Sequence, residues 1–232
     1  MDYETTSAET TRGLLLSARE WKVVGLATAL MLLNVLLIYA VVTTPLAVVN
    51  RYLFSAPIVG VIAYGAALMA GEWIAERGIE NGSSALAFGG MALLQLAFGT
   101  FGAGVLSLLP RELHVPAITI TAAVTAAVTL LLATYVYARS KDFDSWSTYA
   151  NVAFLGGIVA IGIGTFVLPV LLVVGFALVF AGFLLRLGWE IWRVRERPGI
   201  PVSLQAIGVY IAVMGVFVHV LQIVVRMLAR RE

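Results

Sequence analysis

Arg186 and Glu190 stand four residues apart inside an apolar stretch, with Trp189 and Trp192 beside them. Residues at this spacing share one face of a helix, so the two charges can form an ion pair. One role for such a pair is the end of a membrane helix, where the guanidinium reaches the lipid headgroups. The other is a buried gate that closes an ion path. Because the pair follows a long apolar run and is flanked by indoles, the sequence favours the interfacial helix end.

Residues that support catalysis or cofactor binding are scarce. Lys22 and Lys141 are the only lysines, and both stand at the border of an apolar run, so no lysine is placed to hold retinal in mid-membrane. His114 and His219 have no nearby carboxylates and make a weak ligand set for haem or a metal. With no cysteine, thiolate sites are excluded. We predict no catalytic residues, no metal and no cofactor; a lipid-modifying enzyme is a weaker alternative.

Polar residues within the apolar runs are candidates for the wall of a hydrated path. Thr121, Thr125 and Thr129 recur every fourth residue and therefore share one helix face. Such residues more commonly form hydrogen bonds between membrane helices, and that alternative stays open. The candidates for a pore or a gate are Arg186, Glu190, Thr125, Asn151 and Gln95.

Composition places these residues in a membrane. Hydrophobic residues make up 61% of the 232 residues and charged residues only 12%, against about 25% charged in soluble domains. We predict an all-α integral membrane protein, a seven-transmembrane helix bundle, with a polar tail over 1–20 and a helical domain over 21–232. Proline is tolerated in the first turn of a helix, so Pro169 divides the fifth span from the sixth. The predicted spans are 23–42, 53–70, 84–109, 116–138, 146–167, 168–187 and 202–226.

The polar connectors 71–82, 139–145 and 189–199 fall on the side of the N-terminus. Ten of the 15 Lys and Arg residues and all 5 tryptophans lie on that side. The positive-inside rule therefore predicts a cytoplasmic N-terminus. We expect the chain to lie in the plasma membrane. The basic C-terminal residues leave open a last segment that re-enters the membrane without crossing. We expect lipid as a partner, and the net charge of +2 gives no reason to expect nucleic acid.

Small residues indicate where helices approach closely. Gly156, Ala160 and Gly164 recur every fourth residue in the fifth predicted span, and Gly208 and Gly215 lie on the last one. Small residues at this spacing form a smooth face on which a second helix can pack. We predict helix packing at these five positions.

Three segments resemble the transmembrane Bax inhibitor motif family. Residues 121–160 are similar to a threonine-bearing span, a basic connector and a span start that reads Phe143-Asp144-Ser145-Trp146 here. Residues 173–185 are similar to the family's sixth span, whose core appears as Phe180-Ala181-Gly182, and residues 206–228 are similar to its closing segment. The resemblance covers about half of the chain and implies a seven-helix membrane protein that leaks calcium or another cation.

The resemblance also implies a change in gating. Family members that act as pH-sensitive calcium leaks carry two aspartates that serve as a titratable latch. Leu187 and Ala212 occupy the matching positions here, and Gly215 replaces the asparagine of the closing motif. Arg186 and Glu190 are the nearest charges able to substitute.

Two hypotheses of different class follow. In the first, the chain is a cation leak or ion-homeostasis protein with altered gating and a central polar cavity. In the second, it is a membrane scaffold or regulatory subunit that transports nothing and has a dry interior.

Overall fold

The computed structural model describes residues 16–139 and 141–230, and the chain over these ranges is almost wholly helical. A short helix, α2 (Val49–Leu53), follows one turn of 3₁₀ helix, Pro45–Val48, and a second 3₁₀ turn covers Arg111–Leu113. Seven helices are long and apolar enough to cross a membrane, as predicted. They are α1 (Ala18–Val41), α3 (Pro57–Glu80), α4 (Ser84–Leu106), α5 (His114–Ala138), α6 (Ser145–Phe166), α7 (Val170–Glu196) and α8 (Val202–Ala229).

The helices extend further than the apolar runs that predicted them. Residues 71–80 and 189–196 were expected in polar connectors, but they form the last turns of α3 and α7. A helix can continue past the hydrocarbon layer because its backbone groups stay bonded to one another, and Arg193 and Arg195 suit the C-terminal end of the α7 dipole. The division at Pro169 is close to the prediction, since α6 ends at Phe166 and α7 begins at Val170.

The start of α1 corrects the predicted tail. Residues 1–15 lie outside the described residues. Ser17 caps α1 by accepting from the Glu20 N–H, and the Glu20 carboxylate accepts from the Ser17 N–H. This reciprocal capping box starts the helix at Ala18, so residues 18–20 belong to the helical domain.

α8 is the central helix of the bundle. In its most apolar stretch 83% of the residues are buried, compared with 17% to 39% in the other six long helices. It packs against α1, α4, α5 and α7, with a smaller contact to α3. A helix that is apolar on all sides is suited to a position enclosed by other helices. Consequently any path through the middle of the bundle runs alongside α8.

Glycines join the other helices into two close pairs. In the α3–α4 pair, a methyl group on Gly90 would overlap the backbone nitrogen of Ala75. In the α6–α7 pair, a methyl group on Gly164 would lie 2.7 Å from the Leu172 nitrogen. Ala160 is buried between the predicted small residues, but Gly156 has only an ordinary contact, and the neighbouring Gly157 makes the close approach instead. The contact face of α6 therefore keeps Ala160 and Gly164 of the prediction and has Gly157 in place of Gly156.

Contacts between helix termini show which ends lie together. The first turn of α1 touches the ends of α5 and α7 through the Tyr137–Glu20 and Arg19–Val194 hydrogen bonds. Trp146 at the start of α6 packs on Gly188. We call this the tryptophan end, because the five tryptophans lie on the helix termini gathered here: Trp21, Trp73, Trp146, Trp189 and Trp192.

Candidate functional site

A network of charged side chains lies near the tryptophan end, between α3, α7 and α8. The Arg186 guanidinium donates to Glu72 Oε1 at 2.5 Å and to Glu190 Oε1 at 3.4 Å. Arg193 Nη2 lies 3.1 Å from Glu190 Oε2. The Glu190 side chain is 0% exposed, whereas those of Arg186 and Arg193 are 23% and 15% exposed. Glu190 is therefore a buried carboxylate held between two arginines of its own helix, one of which also reaches α3.

The structure contradicts one part of the favoured interpretation of Arg186 and Glu190 as an interfacial helix end, because Glu190 is buried. Local spacing indicated a weak pair that points outward, but α7 turns this face toward α8 and buries Glu190 completely. The ring of Trp189 lies against both guanidiniums, with its centroid 5.7 Å from the Arg186 Cζ and 4.8 Å from the Arg193 Cζ. These cation–π contacts cover the network on its outer side.

Gly208 provides the space for this carboxylate on α8. A methyl group at Gly208 would lie 2.5 Å from both Glu190 oxygens, so no larger residue fits without displacing the acid. Further along the interface, the ring of Phe183 fills the place where a side chain at Gly215 would stand. The predicted packing glycines of α8 thus receive two specific side chains of α7, one charged and one aromatic.

Leu187 and Ala212 lie at the same level of the α7–α8 interface. The Glu190–Gly208 and Phe183–Gly215 contacts set the antiparallel register, and Leu187 and Ala212 stand midway between them on their respective helices. Both residues are 0% exposed. Two buried apolar residues therefore stand at this level of the interface, and the buried carboxylate of Glu190 lies one helical turn closer to the tryptophan end.

A second polar group joins α1, α4 and α8. Asn34 Nδ2 donates to the backbone and side-chain oxygens of Gln95 and lies 3.0 Å from the Tyr210 hydroxyl, while Gln95 Nε2 donates to the Leu30 carbonyl. Gln95 is thus engaged in hydrogen bonds between helices, which was the alternative to lining a path. Tyr210 was not predicted as part of this group, because no sequence pattern distinguishes it from the other residues of its apolar run.

Thr121 and Thr125 lie on the buried face of α5 and have hydroxyls without a hydrogen-bond partner within the described part of the chain. They are 0% and 1% exposed, which leaves no open channel beside them. Thr129, also on this helix, donates instead to the Thr125 carbonyl.

Replacing both buried threonines with valine is expected to stabilise the bundle. Valine keeps the shape of threonine and removes a hydroxyl whose burial without a partner costs about 1 kcal/mol or more. Thr121→Val/Thr125→Val should therefore raise the free energy of unfolding, measured by SDS titration in mixed micelles, while the exposed Thr119→Val should leave it unchanged. A loss of stability in the double variant would mean that the hydroxyls are bound to water.

The remaining candidates do not join these groups. Asn151 is exposed on α6, so the expectation that it lines a central path is wrong. His114 bonds to the Leu109 carbonyl, and His219 bonds to the Gly215 carbonyl among three phenylalanine rings of α7. In the ranges that the structure describes, no three His, Asp or Glu side chains are grouped to hold a metal ion.

These features define the chain as a multi-pass membrane protein, whose described residues form a seven-helix bundle with α8 at its centre. Comparison with known proteins gives no family model, no curated protein and no solved structure that matches this chain.

Proposed function

We propose that this chain is a cation leak or ion-homeostasis protein of the Bax-inhibitor type, with Ca²⁺ as the first cation to test. In this proposal it lies in the plasma membrane with its N-terminus in the cytoplasm, and the ion pairs around Glu190 close the path at the tryptophan end. The helices would part along α8, where the polar groups of α1, α4, α5 and α7 meet.

The observation that supports this function best is the complete burial of Glu190. Removing a carboxylate from water is costly, and its attraction to nearby cations only partly offsets that cost. Ionisable residues inside membrane segments are rare and are commonly found on ion or substrate paths. A helix that needed only to pack against α8 would do so at lower cost with an apolar side chain and without Gly208.

The alignment with the family supports the same proposal. Glu190 shares the α8-facing side of α7 with Leu187, one turn away. A carboxylate displaced by one turn, with an arginine on each side, can replace a pair of acids as a latch. The positive charges of the arginines then balance the carboxylate, as a shared proton does in a pair of acids.

Ion flux in liposomes tests this function. Arg186→Gln removes the cation shared by Glu72 and Glu190 and leaves Arg193 as the only arginine paired with Glu190 among the described residues, so Ca²⁺ efflux should rise about tenfold, the effect of ~1.4 kcal/mol. Glu190→Gln should lower it, because two arginines then remain without the buried acid. Because the two substitutions are expected to change Ca²⁺ efflux in opposite directions, general unfolding could not explain both results.

Glu80→Gln is the matched control, because it removes an exposed carboxylate at the same end of α3. Its flux should equal that of the unmodified chain. If neither the unmodified chain nor Arg186→Gln conducts Ca²⁺, Na⁺ or K⁺ at any pH, the proposal is rejected.

A membrane scaffold or regulatory subunit is the second candidate. It is favoured by the closed interior, where Leu187, Ala212 and Thr121 have no exposed surface. In that case neither the unmodified chain nor any variant conducts ions in the flux assay, and a protein or lipid partner should copurify with the chain.

A further inference from the structure

The last turn of α7 is held by a side chain from α8. Gln205 is 0% exposed, and its Nε2 donates to the carbonyls of Arg193 and Arg197, each at 3.0 Å. Carbonyls in the last turn of a helix have no partner within the helix. At the end of α7 the Arg193 and Arg197 carbonyls accept from the N–H groups of Arg197 and Ile200, and Gln205 gives each of them a second donor from α8.

Arg19 on the first turn of α1 completes this arrangement. Its Nη2 donates to Gln205 Oε1 at 2.7 Å and to the Ile200 carbonyl at 2.5 Å, and its Nη1 donates to the Val194 carbonyl at 3.2 Å. One guanidinium thus joins three helices, and its positive charge stands at the C-terminal end of the α7 dipole.

We propose that Arg19 is a positioning residue for the Glu190 site, so that the first turn of α1 controls whether that site stays closed. This inference rests on the proposed function. The carbonyl of Arg193 is fixed by Gln205, and the guanidinium of the same residue lies 3.1 Å from Glu190. If Arg19 leaves, Gln205 Oε1 loses its donor, and the side chain that bonds to the Arg193 carbonyl is no longer anchored to α1.

The geometry needs an arginine rather than any cation. Three acceptors in different directions match the planar fork of a guanidinium, whereas an ammonium is a compact charge on a flexible stem. Arg19→Lys should therefore behave more like Arg19→Gln than like the unmodified chain. Lys22 is the matched control, because it is an exposed cation on the next turn of α1.

Thiol labelling tests this role without relying on ion flux. The chain has no cysteine, so a single introduced thiol is the only reactive one. Ile191→Cys places it next to Glu190, where the side chain is 9% exposed, and Phe98→Cys places a second reporter on α4, where it is 3% exposed. The rate of reaction with a charged maleimide is measured for each reporter in the full chain in liposomes.

Arg19→Gln is expected to raise the labelling rate at position 191 about tenfold or more, an opening worth ~1.4 kcal/mol, and to leave position 98 unchanged. Lys22→Gln should alter neither rate. Arg193→Gln should expose position 191 to a similar extent, and combining it with Arg19→Gln should add little, because both changes release the same contact.

An unchanged rate at position 191, or an equal rise at both positions, would overturn this role for Arg19. The outcome is separable from that of the proposed function. If position 191 opens but no variant conducts ions, Arg19 keeps its positioning role and the leak function is rejected.

Discussion

Gly90→Ala is expected to lower the free energy of unfolding by about 1–3 kcal/mol, while the same change at the adjacent Gly89 should raise it. A methyl group on Gly90 would lie 2.6 Å from the Gly71 carbonyl oxygen and 2.7 Å from the Ala75 Cα, so α3 and α4 must move apart. At Gly89 a methyl group meets nothing within 4 Å. There alanine contributes only its better helix propensity, worth about 0.5–1 kcal/mol.

The two variants are compared by SDS titration, with tryptophan fluorescence as the signal. Because the substitution and the helix are the same, the difference between them isolates the α3–α4 contact. Equal stabilities for Gly90→Ala and Gly89→Ala would show that α3 and α4 are further apart than described.

Glu190→Gln is expected to cost about 3 kcal/mol of unfolding free energy, as breaking one side of a buried ion pair generally does. Glutamine has almost the same shape, so the loss arises from charge rather than from a cavity. Arg186 keeps Glu72 as a partner, but Arg193 loses the carboxylate beside it, and its Nε already has no hydrogen bond within the described residues.

Removing the charge of Arg193 as well should recover part of the unfolding free energy that Glu190→Gln loses. Glu190→Gln/Arg193→Gln is expected to be more stable than Glu190→Gln alone, because no unpaired cation remains at that point. The exposed Glu80→Gln should stay within about 0.5 kcal/mol of the unmodified chain. A Glu190→Gln variant as stable as this control would mean that Glu190 is not held by the arginines.

The sequence was sufficient to predict the spans, because hydrocarbon thickness sets a length that each apolar run must meet. It was less informative at the helix ends. Residues 71–80 and 189–196 contain charged side chains, which end an apolar run in the sequence but do not stop a helix. Sequence polarity therefore marked the ends of the apolar runs and not the ends of the helices.

The site was only partly predictable. Arg186 and Glu190 were identified from their spacing, but Glu72 is 114 residues from Arg186 in the chain, and no local pattern connects them. One available signal was overlooked. Leu187, Glu190, Ile191 and Val194 form one helix face, and three of the four are apolar, which indicates burial of the fourth.

The position of α8 has a consequence for biosynthesis. Of the seven long helices it leaves the ribosome last, yet it fills the middle of the assembly. The earlier helices that contact α8 must therefore enter the bilayer with lipid against the surfaces that α8 later covers, and its arrival must displace that lipid. Nascent chains that stop before Val202 would present an unfinished bundle to the quality-control machinery of the cell.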